Sequence, residues 1–266
     1  MAGSETARTQ PQIATGEIVV RPCSGLNEMR ACVALQKEVW NFSDADLVPL
    51  RLFVTAEKIG GQVIGAFQGK ELIGFAMAIP AIRSGKPYLH SQMLAVREQH
   101  RNAGLGRRLK LCQRDEAIAR GIDLMEWTFD PLEIKNSFLN IARLGAIARR
   151  YNCNQYGVTS SPLHGGLPSD RLVAEWWLKS KRVEHLLNSG ALPEFEVEKT
   201  ISVPVRIYEW KASPDTRAFA RQIQDENRED FVQAFAQGLA VLGYERDGEG
   251  NGIFLLGHLD KEVNYR

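Results

Sequence analysis

The 266-residue sequence has only four cysteines, Cys23, Cys32, Cys112 and Cys153, and no two of them form a Cys-x-x-Cys pair. Its five histidines include no pair at zinc-finger spacing, so no metal is expected. Scattered cysteines suit packed thiols in a reducing cytoplasm. No apolar run reaches membrane-spanning length, which argues against a membrane partner. Residues 1–16 are small and polar, lack the apolar core of a signal peptide, and read as a loose tail. Charge of one sign is missing too. Lys and Arg number 33 against 32 Asp and Glu, a formal net charge of +1, which gives no general attraction to nucleic acid. What remains is an ordinary soluble composition, 44% hydrophobic and 24% charged, long enough for one large or two small domains.

With no global charge, any electrostatic site must be local, and residues 94–110 supply one. The segment 88–96 has the apolar content of a buried strand. A basic turn with Gly104 and Gly106 follows, and then a helical stretch. Arg97, Arg101, Arg107, Arg108, Lys110 and Arg114 face a single acid, Glu98. The glycines remove side chains where a bulky anion would approach the backbone. The helix start directs free N–H groups and its positive end at that anion. The simplest ligand is a diphosphate; the plain alternative is a loop whose glycines serve sterics. A Walker loop is excluded because Arg107 and Arg108 follow Gly106 where Lys-Ser/Thr is required. A dinucleotide fingerprint is excluded because its third glycine position is Leu109.

The rest of the chain reads as alternating elements. A β-branched strand at 17–21 ends at Pro22. A helix with an apolar stripe of Leu26, Met29, Val33, Val39 and Trp40 follows, then a short helix after Pro49. Runs at 63–67 and 72–79 form a hairpin, and 80–87 reads as a polar loop. After the strand at 88–96 come a helix at 105–120, a strand at 122–129, a helix at 132–144 closed by Gly145, and strands at 151–158 and 171–178. Beyond 179 the pattern predicts a helix at 182–189 and a strand at 199–210 weakened by Pro204. A long helix at 216–242, with stripe Phe219, Ile223, Phe231, Phe235, Leu239 and Leu242, and a last strand at 252–259 complete it.

The spacing Val96, Arg101, Gly104, Gly106, between a fourth strand and its helix, resembles the pyrophosphate loop of the GNAT (GCN5-related N-acetyltransferase) superfamily. The resemblance covers 17–179. It implies an α/β (α+β) fold with a mixed, largely antiparallel central sheet flanked by helices, and acyl-CoA held where the fourth and fifth strands splay apart. Residues 180–266 read as a C-terminal αβ extension packed on that core. By resemblance, Met93, Leu94 and Val96 contact the pantetheine arm. Arg101, Asn102, Ala103, Gly104, Leu105, Gly106 and Arg107 offer amides to the diphosphate. Asn136 matches an asparagine that touches CoA, and is otherwise a solvated helix-start residue.

An activated thioester leaves the protein to align the acceptor, remove a proton and stabilise the leaving thiolate. Relatives often place a glutamate base on the fourth strand; this strand has none. His90, sharing a face with Gln92 and titrating near neutrality, is the first expectation, and Glu126 on the fifth strand the second. Relatives often use a tyrosine acid four residues before the helix-ending glycine, but that position is Ile141, so Tyr151 is expected to stand in. Each of the three has a packing role as its alternative. Asp130 either caps a helix or holds an ammonium, and Cys112 reads as core. The loop 160–170, with His164, reads as an acceptor lid or a plain connection.

The implied function is acyl-CoA-dependent N-acylation, acetyl or another acyl group, of a small-molecule amine such as an amino acid. The rival is a non-catalytic CoA-binding module, motivated by the missing glutamate and tyrosine. A nucleic-acid binder conflicts with the near-zero net charge. Monomer and homodimer are both left open.

Overall fold

The computed structural model describes residues 16–157 and 165–259. Strand β1 (Ile18–Pro22) leads into α1 (Gly25–Trp40) and α2 (Leu50–Lys58). The buried side of α1 is Met29, Cys32, Leu35 and Gln36, whereas Leu26 of the expected stripe is exposed. Asn41 ends the helix in the left-handed region, its N–H donating to the Lys37 carbonyl.

Strands β2 (Gln62–Gln68), β3 (Glu71–Arg83) and β4 (Lys86–Val96) form an antiparallel meander. The expected loop at 80–87 is instead the tip of a long hairpin. Ser84 and Gly85 both take positive φ and close a two-residue turn between Arg83 and Lys86. Pro80 is tolerated because β2 pairs no further along β3 than Ala78, so no ladder on that side is broken. In β4, Ser91 pairs with Ala78 and Met93 with Met77, leaving Gln92 as an extra, bulged residue.

Helix α3 (Leu105–Ala119) crosses to β5 (Leu124–Phe129). The next helix starts as α4 (Ile134–Ser137) and widens into a π-helical stretch, Phe138–Arg143, before Gly145 turns the chain at φ 77°. Strand β6 (Ile147–Asn152) begins earlier than the expected 151–158, because the apolar pair Ile147-Ala148 enters the sheet directly after that glycine. β7 (Arg171–Trp177) and α5 (Lys181–Ser189) follow.

The expected strand 199–210 is split. β8 (Lys199–Val203) stops at Pro204, whose carbonyl accepts from the Ile207 N–H to start α6 (Ile207–Ala212). The expected helix 216–242 is also two elements. α7 (Arg217–Ala236) ends at Gln237, Gly238 takes φ 83°, and Leu239–Arg246 is a strand, β9, ahead of β10 (Gly252–His258).

All ten strands lie in one sheet, ordered β1-β2-β3-β4-β5-β7-β6-β9-β10-β8. Over β2 to β4, one face packs α1 and α2 through Cys32, Phe53, Phe75 and Met77. The opposite face packs α3 through Ile64, Ile73, Ala76 and Leu109. The largest core lies over β5 to β10 and centres on Trp127, Phe129, Trp176, Phe231 and Phe254. Residues beyond 179 thus extend the sheet past β6. Buried Arg182 fastens the join, its guanidinium donating to the carbonyls of Gly145 and Leu242.

Candidate acyl-transfer site

The site begins as a defect in the sheet. β4 and β5 run parallel but pair at only two positions, Leu89 with Met125 and His90 with Glu126. Past those pairs the strands part: Ser91 to Val96 pair with β3 alone, and Trp127 to Phe129 with β7 alone. A bulge bends its strand and strengthens local twist. Gln92 sits just beyond the last shared pair, where the fork opens.

The basic turn forms the mouth of this fork. Arg97 is fixed by Glu38, 2.8 Å away, and by Glu71. After a single 3₁₀ turn, Glu98–His100, the Arg101 Nε donates back to the Val96 carbonyl at 3.0 Å. Asn102 and Gly104 both take positive φ, 63° and 77°. A Cβ on Gly104 would meet nothing within 4 Å, so this glycine serves backbone conformation. Gly106 serves space: its Cβ would stand 3.7 Å from both Leu94 of β4 and Leu139 of the π-helical stretch. The first ladder bond of α3 runs from the Arg108 N–H to the Gly104 carbonyl, so the amides ahead of it belong to the unladdered first turn. Arg107 Nε reaches the Arg143 carbonyl at 3.2 Å, tying the two helices across the mouth. Burial, with some help from Arg143, lowers the Arg107 pKa.

A fork that opens on a helix N-terminus, with a glycine at its throat, matches the splayed fourth and fifth strands that the family resemblance implies. Residues 28–135 match the family profile "Acetyltransferase (GNAT) family". They form a GNAT acetyltransferase domain. Solved structures share its fold at low identity. A GNAT-family protein from Desulfovibrio desulfuricans aligns at TM-score 0.50 and 12% identity, over 61% of this chain and 99% of that one. The yncA protein of Salmonella typhimurium, solved with its cofactor acetyl-CoA, aligns at TM-score 0.50 and 17% identity, over 61% and 94%. An N-acetyltransferase from Staphylococcus aureus Mu50 aligns at TM-score 0.50 and 15% identity, over 62% and 100%. No curated protein matches the sequence.

The GNAT domain disperses the residues expected to do chemistry. Met93 packs toward α1 and α2, whereas Leu94 and Val96 pack toward α3. Asn136 is exposed on α4. His90 is half-buried beside Glu126. Burial pushes its pKa down, with Lys110 and Arg83 acting the same way against Glu126. Glu126 is 2% exposed and clasped by Arg83 and by Arg150 at 2.5 Å. Glu175, equally buried on the neighbouring strand, takes Arg149 at 2.9 Å and Arg150 at 3.2 Å. A bulge in β6 makes this arrangement, because Arg149 and Arg150 together fill the span between the Ala148–Ala174 and Tyr151–Leu172 pairs. Glu126 is therefore one corner of a two-carboxylate, three-arginine network.

Tyr151 is two strands away from β4's neighbour β5, counting β7 and β6. Its hydroxyl donates to Asp170 at 2.8 Å and its ring stacks on Phe231 at 5.7 Å between centroids. Burial pushes its pKa up, and Asp170 adds to this. Arg228, 2.7 Å from Asp170, completes a strut between the β6–β7 connection and α7. Asp130 accepts from the Leu132 N–H at 2.8 Å in a turn ahead of α4, whose N-cap is Glu133, so it does not cap that helix; its other oxygen lies 3.5 Å from Lys211 Nζ. Cys112 is half-buried on α3. His164 lies outside the described residues. Of the rest of its loop, Gly165 packs so closely on α6 that a Cβ would stand 2.5 Å from the Lys211 carbonyl.

One group in the fork escaped the sequence reading. Lys110 belongs to the basic segment in sequence, yet it is only 2% exposed. Its Nζ lies 2.6 Å from Ser91 Oγ and 3.7 Å above the centre of the Trp127 ring. The available signal was its helical spacing from Gln113 and Ala117, which share its buried face. The paired carboxylates gave no such signal, because their partners come from a bulge that composition does not reveal.

Proposed function

We propose that this chain is an acyl-CoA-dependent N-acyltransferase, acetyl in the simplest case, that modifies the amine of a small molecule such as an amino acid. The observation that carries the proposal is the β4–β5 fork opening onto the first turn of α3. Amides of 102–107, the positive helix end and the neighbouring arginines suit a diphosphate. The unpaired edges of β4 and β5 suit an extended amide-bearing arm, which can pair as an added strand would. Met93, Leu94 and Val96 then line the arm, and Asn136 borders the mouth.

His90 is the proposed acceptor of the amine's first proton. It looks to the sheet face opposite α3, and burial favours its neutral form, which can take a proton. Glu126 and Tyr151 are assigned to structure, since arginines hold one and Asp170 engages the other. Cys23 and Cys32, free thiols 3.9 Å apart, support a cytoplasmic setting. No helix among the described residues is long and apolar enough to cross a membrane.

The same engagement of Glu126 and Tyr151 favours a second reading, a module that holds CoA without turnover. Two measurements separate the outcomes. Saturating acetyl-CoA, at a hundred times its Kd, is expected to add about 2.7 kcal/mol and so raise Tm by roughly 5–10 °C; no shift at millimolar ligand refutes CoA binding. Thiol release with a panel of amines then distinguishes the enzyme from the module.

A further inference from the structure

The amine of Lys110 occupies a defined place. Ser91 is the first residue of β4 beyond the last pair shared with β5, and Trp127 is the first residue of β5 beyond it. Nζ touches both, so it stands in the crotch of the fork, beneath the two strands on the α3 side. Ser91 turns its own hydroxyl to Gln113 Oε1 at 3.2 Å, which leaves its oxygen to accept from Nζ. Strand alternation puts His90 and Glu126 on the other face. A thioester drawn into the fork would therefore have His90 above it and Lys110 below.

We propose that Lys110 is a catalytic residue of this site, its Nζ taking the last proton from the acylated nitrogen and delivering it to the CoA sulfur. This rests on the acyl-CoA reading above. An acceptor ammonium sheds two protons on becoming an amide. The first leaves before attack, to His90 and then to solvent. The nitrogen lone pair then forms the C–N bond, and the second proton passes to Nζ. The C–S bond breaks with its electron pair on sulfur, and Nζ–H protonates it to give free CoA thiol. Lys110 ends as it began, and one proton is released overall.

The surroundings suit that cycle. No carboxylate lies within ion-pairing distance of Nζ among the described residues, and burial alone holds the Lys110 pKa well below the ordinary lysine range. The charged neighbours are His90 on β4, Arg107 and Arg114 a turn away on α3, and Glu126 on the far face of β5, already engaged by Arg83 and Arg150. A desolvated lysine in its neutral form can take a proton and return it to a developing anion. One such group does the work of an acid and a base that relatives often draw from other positions.

The decisive experiment uses the full chain and CoA itself, so no acceptor is needed. In the wild type, the ultraviolet thiolate band of bound CoA is expected at lower pH than for free CoA, because the thiol gives its proton to Nζ. In Lys110→Met the bound thiol is expected to titrate as in solution while CoA still raises Tm. With any amine that the wild type acylates, Lys110→Met should lower kcat about 100-fold or more, abolish the alkaline rise in its pH profile and leave the KM for acetyl-CoA within threefold. Thermal stabilisation without an altered thiol titration in the wild type, or a variant kcat within twofold, overturns the assignment while sparing the CoA reading. Absence of any thermal stabilisation by CoA overturns both.

Discussion

Two lysines in this molecule are almost equally withdrawn from water, and their surroundings treat them in opposite ways. Lys211 on α6 is 5% exposed and lies 2.5 Å from Glu133 and 3.5 Å from Asp130. Burial pulls its pKa down, but the two carboxylates more than reverse this, so the net shift is upward. Lys110 on α3 has a serine, an aromatic face and no carboxylate, and its pKa falls. A buried charge requires a partner, and without one the group sheds the charge. Lys211 thus bolts α6 to the start of the α4 segment as a cation, whereas burial favours the neutral amine of Lys110.

Replacing each by methionine tests the contrast most strongly. Lys211→Met strands Asp130 and Glu133, and is expected to cost about 3 kcal/mol, the lower end for a broken buried pair because water reaches Glu133. Measured near pH 10.5, before the cost of leaving Lys110 unprotonated in the fold sets in, Lys110→Met should change stability by no more than about 1 kcal/mol. Urea unfolding of both variants measures this, and equal losses would erase the distinction.

The pH dependence sharpens it further. Between its depressed folded pKa and the unfolded value of 10.5, Lys110 is protonated in the unfolded chain only. It therefore makes stability fall as pH drops through that window, by up to about 1.4 kcal/mol per pH unit. Lys211 works the other way: its raised folded pKa gives stability that is full below 10.5 and lost as pH rises through the folded value. Relative to wild type, Lys110→Met should gain stability as pH is lowered from about 10.5, whereas the deficit of Lys211→Met should be constant below 10.5 and shrink as pH rises above it. The smallest expected effect belongs to a neutral hydrogen bond. Tyr151→Phe removes one of the partners of Asp170 but leaves Arg228 and the Asn154 N–H. It should cost about 1 kcal/mol, and a large fall in kcat instead would restore Tyr151 to the chemistry.

The sequence made the turn legible because its features are local: two glycines, a run of arginines, an apolar strand before and a helical period after. In three dimensions the fork opens beside Gln92, a one-residue insertion that no composition or period distinguishes. The same limit hid β9. Leu239 and Leu242 continue the spacing of the α7 stripe, and only Gly238 marks the break. Lys110 was visible as a charge and invisible as a buried group, since a lysine within a basic run looks like part of an anion site. Pro80 misled in the other direction, because its cost in a strand depends on whether a neighbour is present, and β2 has already ended there.

The continuity of the sheet beyond β6 carries a practical consequence. Without β9 alongside, β6 would form an outer rim, offering unsatisfied peptide groups next to the apolar Ile147 and Ala148 to any passing chain. The added strands move that rim to β8, five residues long and bounded by Pro204. The C-terminal third of the chain therefore covers an edge that the rest of the sheet would otherwise leave open.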